Sequence, residues 1–143
     1  MKLAEARAEM RSLLDAPSPA TLTLFGAGGE PVTSPVWFRY TGESFEVVMG
    51  LKDQKLEMLR RDPRCTLLIF ETAPPFRGVR LRGKADLVPD EDSATRLAIA
   101  TRYLGEDGGR QYADLDRRPP GFVVRLRADF AKAWDLSESL ADT

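Results

Sequence analysis

Residues 76–88 alternate between two kinds of side chain with a period of two. Val79, Leu81 and Ala85 fall on one face of an extended chain, and Arg80, Arg82 and Lys84 fall on the other. Residues 122–136 repeat the pattern, with Val124, Leu126 and Ala128 opposite Arg125 and Arg127. A helix would scatter these residues around its axis, whereas a strand sorts them. Each strand has one apolar face, which is stable only when other strands or helices cover it. A chain carrying two such strands is therefore committed to a sheet wrapped around a core.

The remaining segments supply that sheet. Residues 21–25 are a short β-rich run, and residues 26–29 form a turn holding three glycines. Residues 31–40 read as a strand, with Thr41-Gly42-Glu43 as a hairpin turn into a strand at 44–49. Residues 64–71 are strongly apolar and read as a buried strand, followed by an Ala73-Pro74-Pro75 turn. Three segments keep helical spacing instead. Leu3, Ala6, Met10, Leu13 and Leu14 share one face of a helix over 1–16, which Pro17 and Pro19 end. Residues 52–61 form a short helix closed by Asp62-Pro63. A longer helix, capped by Asp90 or Asp92, runs to about Leu104, with Leu97, Ile99 and Tyr103 among its apolar residues. Residues 105–109 read as a loop, 111–115 as one further helical turn, and the polar tail 137–143 as frayed. The expectation is a mainly β protein. It is a six-stranded antiparallel split barrel of Greek-key type, with an N-terminal helix, a short mid-chain helix and a longer late helix. All 143 residues form one domain, with the barrel at about 21–136.

Composition narrows the chemistry. Lys plus Arg is 21 and Asp plus Glu is 22, a net charge of −1, so bulk charge gives no argument for nucleic acid. The chain has no histidine and one cysteine, Cys65. That excludes Ser-His-Asp and Cys-His nucleophile chemistry, a cysteine-rich zinc site and an internal disulfide. No metal site is expected. No apolar run approaches the roughly 18 residues of a membrane helix, and residues 1–16 have no signal-peptide core. The chain reads as soluble and cytoplasmic, and any enzymatic chemistry would come from a bound cofactor.

A few side chains carry a choice of readings. The arginines and lysine of the two alternating strands either form solvated outer faces or surround a cleft and hold a phosphate, for which a forked guanidinium is suited. Lys55, at the start of the short helix after Gly50, either faces water or meets an anion near the helix N-terminus. Trp37 and Phe38 are adjacent and so point to opposite faces of a strand. Either one packs in the core while the other lines a cleft, or both are buried. Trp134 is most simply a staple for the last strand. Residues 26–29 contain no phosphate-loop lysine and open no helix, so they match neither nucleotide-binding fingerprint.

Three stretches together resemble the split-barrel flavin-binding family named after pyridoxamine 5′-phosphate oxidase, nearest its short bacterial branch. Gly29-Glu30-Pro31-Val32-Thr33-Ser34-Pro35-Val36-Trp37-Phe38 is similar to the family's glycine turn and Pro-Val-Trp strand. Lys55 through Leu59 to Asp62-Pro63-Arg64 resembles its lysine, leucine, Asp-Pro and buried-strand sequence, and Val79 to Ala85 its glycine-alanine strand. The resemblance implies a homodimer with two equivalent cofactor sites at the subunit interface and a small-molecule substrate. It implies FMN as cofactor, with the deazaflavin F-420 as alternative. By that analogy Lys55 binds the cofactor phosphate, beside Gln54. Val36, Trp37 and Phe38, with Met49, Gly50 and Leu51, run along the isoalloxazine ring. Arg82 belongs to the same set, and Arg125, Arg127 or Trp134 reach in from the second copy.

The implied function is a flavin-dependent oxidoreductase of unknown substrate, since a flavin brings its own electron sink and needs no histidine. Vitamin B6 synthesis is not implied, because the longer C-terminal substrate signature is lacking. Two rivals accompany it: a non-catalytic dimer carrying a flavin or a planar tetrapyrrole-like ligand, and a structural dimer with no cofactor. The family often has a hydroxyl residue two before the lysine, where this chain has Asp53. A carboxylate beside a phosphate is unfavourable unless it faces away or pairs with Lys52.

Overall fold

A computed structural model describes residues 2–115 and 119–141. Its strands are β1 (Ala20–Phe25), β2 (Pro31–Val36), β3 (Arg39–Tyr40), β4 (Phe45–Met49), β5 (Arg64–Phe70), β6 (Gly78–Pro89) and β7 (Phe122–Trp134). Its helices are α1 (Leu3–Glu9), α2 (Arg11–Asp15), α3 (Gln54–Arg61), α4 (Ala94–Leu115) and α5 (Ser137–Ala141), with a 3₁₀ turn at Glu91–Ser93. The strands form one antiparallel sheet in the order β2-β1-β5-β6-β7-β4-β3. Consecutive strands β2 and β3 thus lie at opposite ends of the sheet. The mainly β split-barrel expectation holds, with seven strands in place of six.

The additional strand comes from a break in the segment expected at 31–40. β2 pairs with β1, while β3 pairs with β4. The chain leaves one partner and crosses to the other at Trp37-Phe38. Phe38 then turns fully inward, with its ring 6.5 Å from that of Phe45. Trp37 turns outward and stays 37% exposed.

The core is the inner face of the sheet. Leu22 and Leu24 of β1, Leu67 and Ile69 of β5, and Val79 and Leu81 of β6 are all buried at alternate positions. Each such side chain contributes roughly 1.5–3 kcal/mol of transfer free energy. α1 and α2 cover one opening with Met10, Leu13 and Leu14, and α3 packs on β1 through Leu56 and Leu59. The N-terminal helix is broken at Met10 (φ −100°, ψ 13°), so two short helices replace the single one expected.

On the last strand the alternation does not run through. A bulge between Arg82 and Gly83 inserts Asp129, so that Phe130 faces Arg82 and Ala128 faces Gly83. Beyond it the inward residues are Ala131 and Ala133 rather than Phe130 and Lys132. Gly83 permits this because a Cβ there would sit 3.0 Å from the Ala128 Cα. The last strand ends at Trp134, and the tail, expected to fray, forms α5.

The late helix also differs from its expectation. Asp90, rather than Asp92, caps it: its carboxylate accepts from the N–H groups of Thr95 (2.9 Å) and Arg96 (3.0 Å). The loop expected at 105–109 contracts to one residue, Gly105 (φ 81°, ψ 173°), after which helix resumes. Gly109 lies so close to Thr101 that a Cβ would come within 2.8 Å of the Thr101 Cα. Residues eight apart in a straight helix are about 12 Å apart, so the second half of α4 folds back on the first.

Candidate functional site

An open cleft of about 850 Å³ lies between the β1–β2 end of the sheet, the C-terminal end of β4, and α4. Its apolar lining comes from Pro17, Pro19, Pro35, Val36, Val48 and Met49. One wall is aromatic. Trp37 stacks on Tyr103 with ring centroids 5.2 Å apart and planes 12° from parallel, and Tyr112 lies tilted against it at 5.5 Å. Tyr112 reaches this place because α4 turns back at Gly105.

The wall is held from behind. The Tyr103 hydroxyl donates to the Ser18 carbonyl (2.8 Å) and accepts from the Phe38 N–H (3.3 Å). Burial pushes its phenol above the ordinary value, so it stays protonated. Next to it, Arg102 donates to four backbone carbonyls: Phe38 (3.1 Å), Asp15 (3.0 Å), Ala16 (2.7 Å) and Leu14 (3.5 Å). That one guanidinium ties α4 to the segment before β1 and to the β2–β3 crossing.

Charge enters the cleft at the turn after β4. Asp53, Lys55 and Arg96 are its charged lining residues among those described. The Asp53 N–H closes the turn on the Gly50 carbonyl at 3.0 Å. Its carboxylate caps α3 by accepting from the Lys55 N–H (3.0 Å), and it pairs with Lys55 Nζ at 3.1 Å. Asp53 therefore pairs with Lys55, not with Lys52. Arg96 arrives from the first turn of α4, largely buried, and a Cβ at Gly50 would lie 3.8 Å from its Nη2.

Of the residues singled out from the sequence, the cleft brings together Val36, Trp37, Met49, Gly50 and Lys55. Phe38 is in the core instead, because the strand breaks there. Leu51 and Gln54 lie within the Gly50–Lys55 segment without lining the cleft. Arg82 lies over the Phe130 ring at 4.1 Å on the outer face of the sheet. Arg125 is bound to the buried Glu46 carboxylate at 2.9 Å, which Arg39 also holds at 2.7 Å. Arg127 pairs with Asp86 at 2.8 Å. Trp134 packs over Gly78, where a Cβ would come within 2.6 Å of the indole, so it does fasten the last strand to β6.

Among the cleft residues that escaped the sequence reading are Arg96, Tyr103 as a wall, and Tyr112. Arg96, Ile99 and Tyr103 follow the i, i+3, i+7 spacing of one helix face, and all three line the cleft. That spacing was a usable signal for Arg96. Tyr112 had none, because its position depends on the turn at Gly105.

The donor set suits a planar ring cofactor bearing an anionic group. The apolar lining and the aromatic wall suit the ring, and the cations Lys55 and Arg96 suit the charge. A family sequence model described as pyridoxamine 5′-phosphate oxidase matches residues 6–135. The chain belongs to the pyridoxamine 5′-phosphate oxidase family. No curated protein sequence matches it. Among solved structures, a conserved hypothetical protein from Mycobacterium tuberculosis superposes with TM-score 0.75 and 25% identity, over 92% of this chain and 86% of that one. An F420 reductase superposes with TM-score 0.72 and 24% identity, over 85% and 94%. The heme storage protein HutZ from Vibrio cholerae does so with TM-score 0.66 and 17% identity, over 91% and 94%. At this distance the likeness to these structures speaks for the fold alone.

Proposed function

We propose that this chain is a flavin-dependent oxidoreductase. It acts as a homodimer that holds a phosphate-bearing flavin-type ring in each cleft and acts on a small, partly apolar substrate. The observation that carries the reading is the union, in one open cleft, of the Val36 and Met49 ledge with the Lys55 and Arg96 cations. When bound, such a ring supplies the two-electron chemistry. The chain's own residues position it. Lys55 and Arg96 hold the anionic group, Val36 and Met49 bed the ring, and Trp37, Tyr103 and Tyr112 close one side against water.

The family's cofactor, FMN, is the first reading. The deazaflavin F-420 is the second, favoured by the likeness to the F420 reductase. The homodimer is supported by apolar groups left on the protomer surface. Phe76 is 38% and Leu136 43% exposed, and the Leu136 N–H donates to the carbonyl of Pro75, the residue before Phe76, at 2.8 Å.

The test is the visible spectrum of protein purified from a host that makes FMN but no F-420. About one flavin per subunit is the expected result, with Lys55→Ala losing cofactor affinity while the cofactor-free melting temperature stays put. A colourless protein that takes up neither FMN nor F-420 on titration would remove the reading. Uptake of heme alone would replace it with a non-catalytic tetrapyrrole carrier.

A further inference from the structure

We propose that Trp37 and Tyr112 form a one-electron relay, which carries an oxidising equivalent from a ring held in the cleft to the protein surface. The inference rests on the flavin-type reading above and adds a redox function for the aromatic wall.

The geometry sets a path with one exit. Trp37 lines the cleft and is 37% exposed. Its indole meets two phenol rings, Tyr103 at 5.2 Å between centroids and Tyr112 at 5.5 Å. Rings at these separations are in van der Waals contact, so an electron passes between them with no group in between. An indole and a phenol are both readily oxidised by one electron. The third tyrosine, Tyr40, stacks on Phe45 at 4.6 Å instead.

The two phenols differ in what becomes of the proton. A phenol that loses an electron turns strongly acidic, and it keeps the hole only where its proton finds a base. The Tyr103 hydroxyl donates to the Ser18 carbonyl at 2.8 Å and accepts from the Phe38 N–H at 3.3 Å. A backbone carbonyl accepts a hydrogen bond but does not take the proton. The burial that raises this phenol above its ordinary value also disfavours a charge left there. Tyr112, by contrast, is 39% exposed on the folded-back half of α4, so its proton passes to water. Tyr103 supports the stack, and Tyr112 is its outlet.

Each step balances. A photoexcited flavin-type ring takes one electron from the Trp37 indole, which becomes a radical cation. Tyr112 returns an electron to Trp37 and releases its phenolic proton to water, leaving a neutral phenoxyl. A hydrogen-atom donor in solution, such as ascorbate, restores the phenol, and the ring keeps the electron it took. The oxidising equivalent thereby leaves the cleft and spares Met49, which lines it and whose thioether is open to oxidation.

The test begins with ligand-free protein. Azide radical, made by pulse radiolysis, oxidises its tryptophans. The expected result is decay of tryptophyl absorption with growth of phenoxyl absorption, which ascorbate then discharges. Tyr112→Phe and Trp37→Phe should each lose the phenoxyl, and Tyr103→Phe should keep it. Matched circular dichroism and melting curves establish that the variants fold. In FMN-loaded protein, laser excitation should produce the same phenoxyl. In loaded Tyr112→Phe the tryptophyl radical should instead decay by return of the electron from the ring.

Phenoxyl growth that survives Tyr112→Phe or Trp37→Phe would overturn the proposal, as would its absence from the unaltered ligand-free protein. Either result leaves the flavin-type reading intact, since neither bears on FMN uptake. Phenoxyl formation in ligand-free protein that takes up neither FMN nor F-420 would remove the flavin-type reading, and the relay would lose its oxidant with it.

Discussion

Trp37 lies flat on Tyr103, at 5.2 Å between ring centroids, although the two residues are 66 positions apart and belong to different layers of the fold. On the tyrosine side the stack is anchored by one hydroxyl that serves the Ser18 carbonyl and the Phe38 N–H together. The aromatic wall of the cleft is thus tied to the strand crossing that buries Phe38.

Tyr103→Phe keeps the stacked ring and removes that hydroxyl. A half-buried carbonyl and N–H then lose their partner, which costs about 1–3 kcal/mol. The expected outcome is a lower melting temperature, by roughly 4 °C per kcal/mol for a chain of this size. Intrinsic tryptophan fluorescence of the native state should change little, because Trp37 keeps its neighbour. A melting temperature equal to wild type would show that the hydroxyl does not anchor the wall.

Gly121 is packed against the end of β4: a Cβ there would lie 2.9 Å from the Met49 carbonyl carbon and 3.0 Å from the Gly50 Cα. Both are backbone atoms that cannot step aside independently. Gly121→Ala should destabilise the protein by about 1–3 kcal/mol through overpacking, and should also weaken cofactor binding, since it pushes on the Met49–Gly50 ledge. Gly42 offers the control. Its φ is +94° with nothing within 4 Å of a Cβ, so Gly42→Ala should cost about 1–2 kcal/mol of left-handed strain and leave cofactor affinity unchanged. Urea titration and a binding isotherm on each variant separate the two effects.

Cys65 is buried in β5, and burial pushes its thiol up to about 12. The neutral thiol therefore persists across pH 7–9, and the nucleophilic thiolate is scarce. In the folded protein it should react negligibly with an aromatic disulfide reagent at pH 8. In concentrated urea it should react fully, at one thiol per chain. Fast reaction of the native protein would place Cys65 at an accessible site.

Glu71 closes the 71–77 turn by accepting from the Arg77 N–H (2.8 Å), Nε (3.0 Å) and Nη2 (3.0 Å). These bonds hold its carboxyl below the ordinary value of 4.5. A depressed carboxylate stabilises the fold above its unfolded value and stops doing so as pH falls through the folded one. Glu71→Gln should therefore be less stable than wild type at pH 7, with the gap closing below about pH 4.5. A gap that stays constant from pH 7 to pH 3 would mean that the ion pair contributes nothing measurable.

Much of the architecture was legible along the chain because its cause is local. The alternation of Val79, Leu81 and Ala85 with Arg80, Arg82 and Lys84 needs only the geometry of a strand, and β6 runs where it indicates. The turns at Gly29 and Gly42, both with positive φ, follow from residue chemistry within a few positions. The break at Trp37-Phe38 was not legible, because it arises from which distant strand each half pairs with. The phase change on β7 was hidden too, since the bulge exists only where Gly83 meets Ala128 on a neighbouring strand.

The site divides the same way. Lys55 stands out by its place after a strand and a glycine, and Trp37 by its ring beside that of Phe38, while Val36, Met49 and Gly50 came only with the family resemblance. Arg82, Arg125 and Arg127 share a residue type with a phosphate ligand, yet within the protomer they are engaged with Phe130, Glu46 and Asp86. Their partners come from other strands, beyond what spacing along one strand conveys.

By itself the sequence determined that this chain is mainly β, that it lacks histidine-based chemistry, and that Lys55 begins a helix beside a glycine turn. Those properties depend on backbone geometry and on which side chains exist, and both are local. Only the tertiary structure decided that Arg96, Tyr103 and Tyr112 join Lys55 in one cleft. Such encounters require α4 to lie across the end of β4 and, for Tyr112, to fold back at Gly105, and burial of the whole core drives that arrangement.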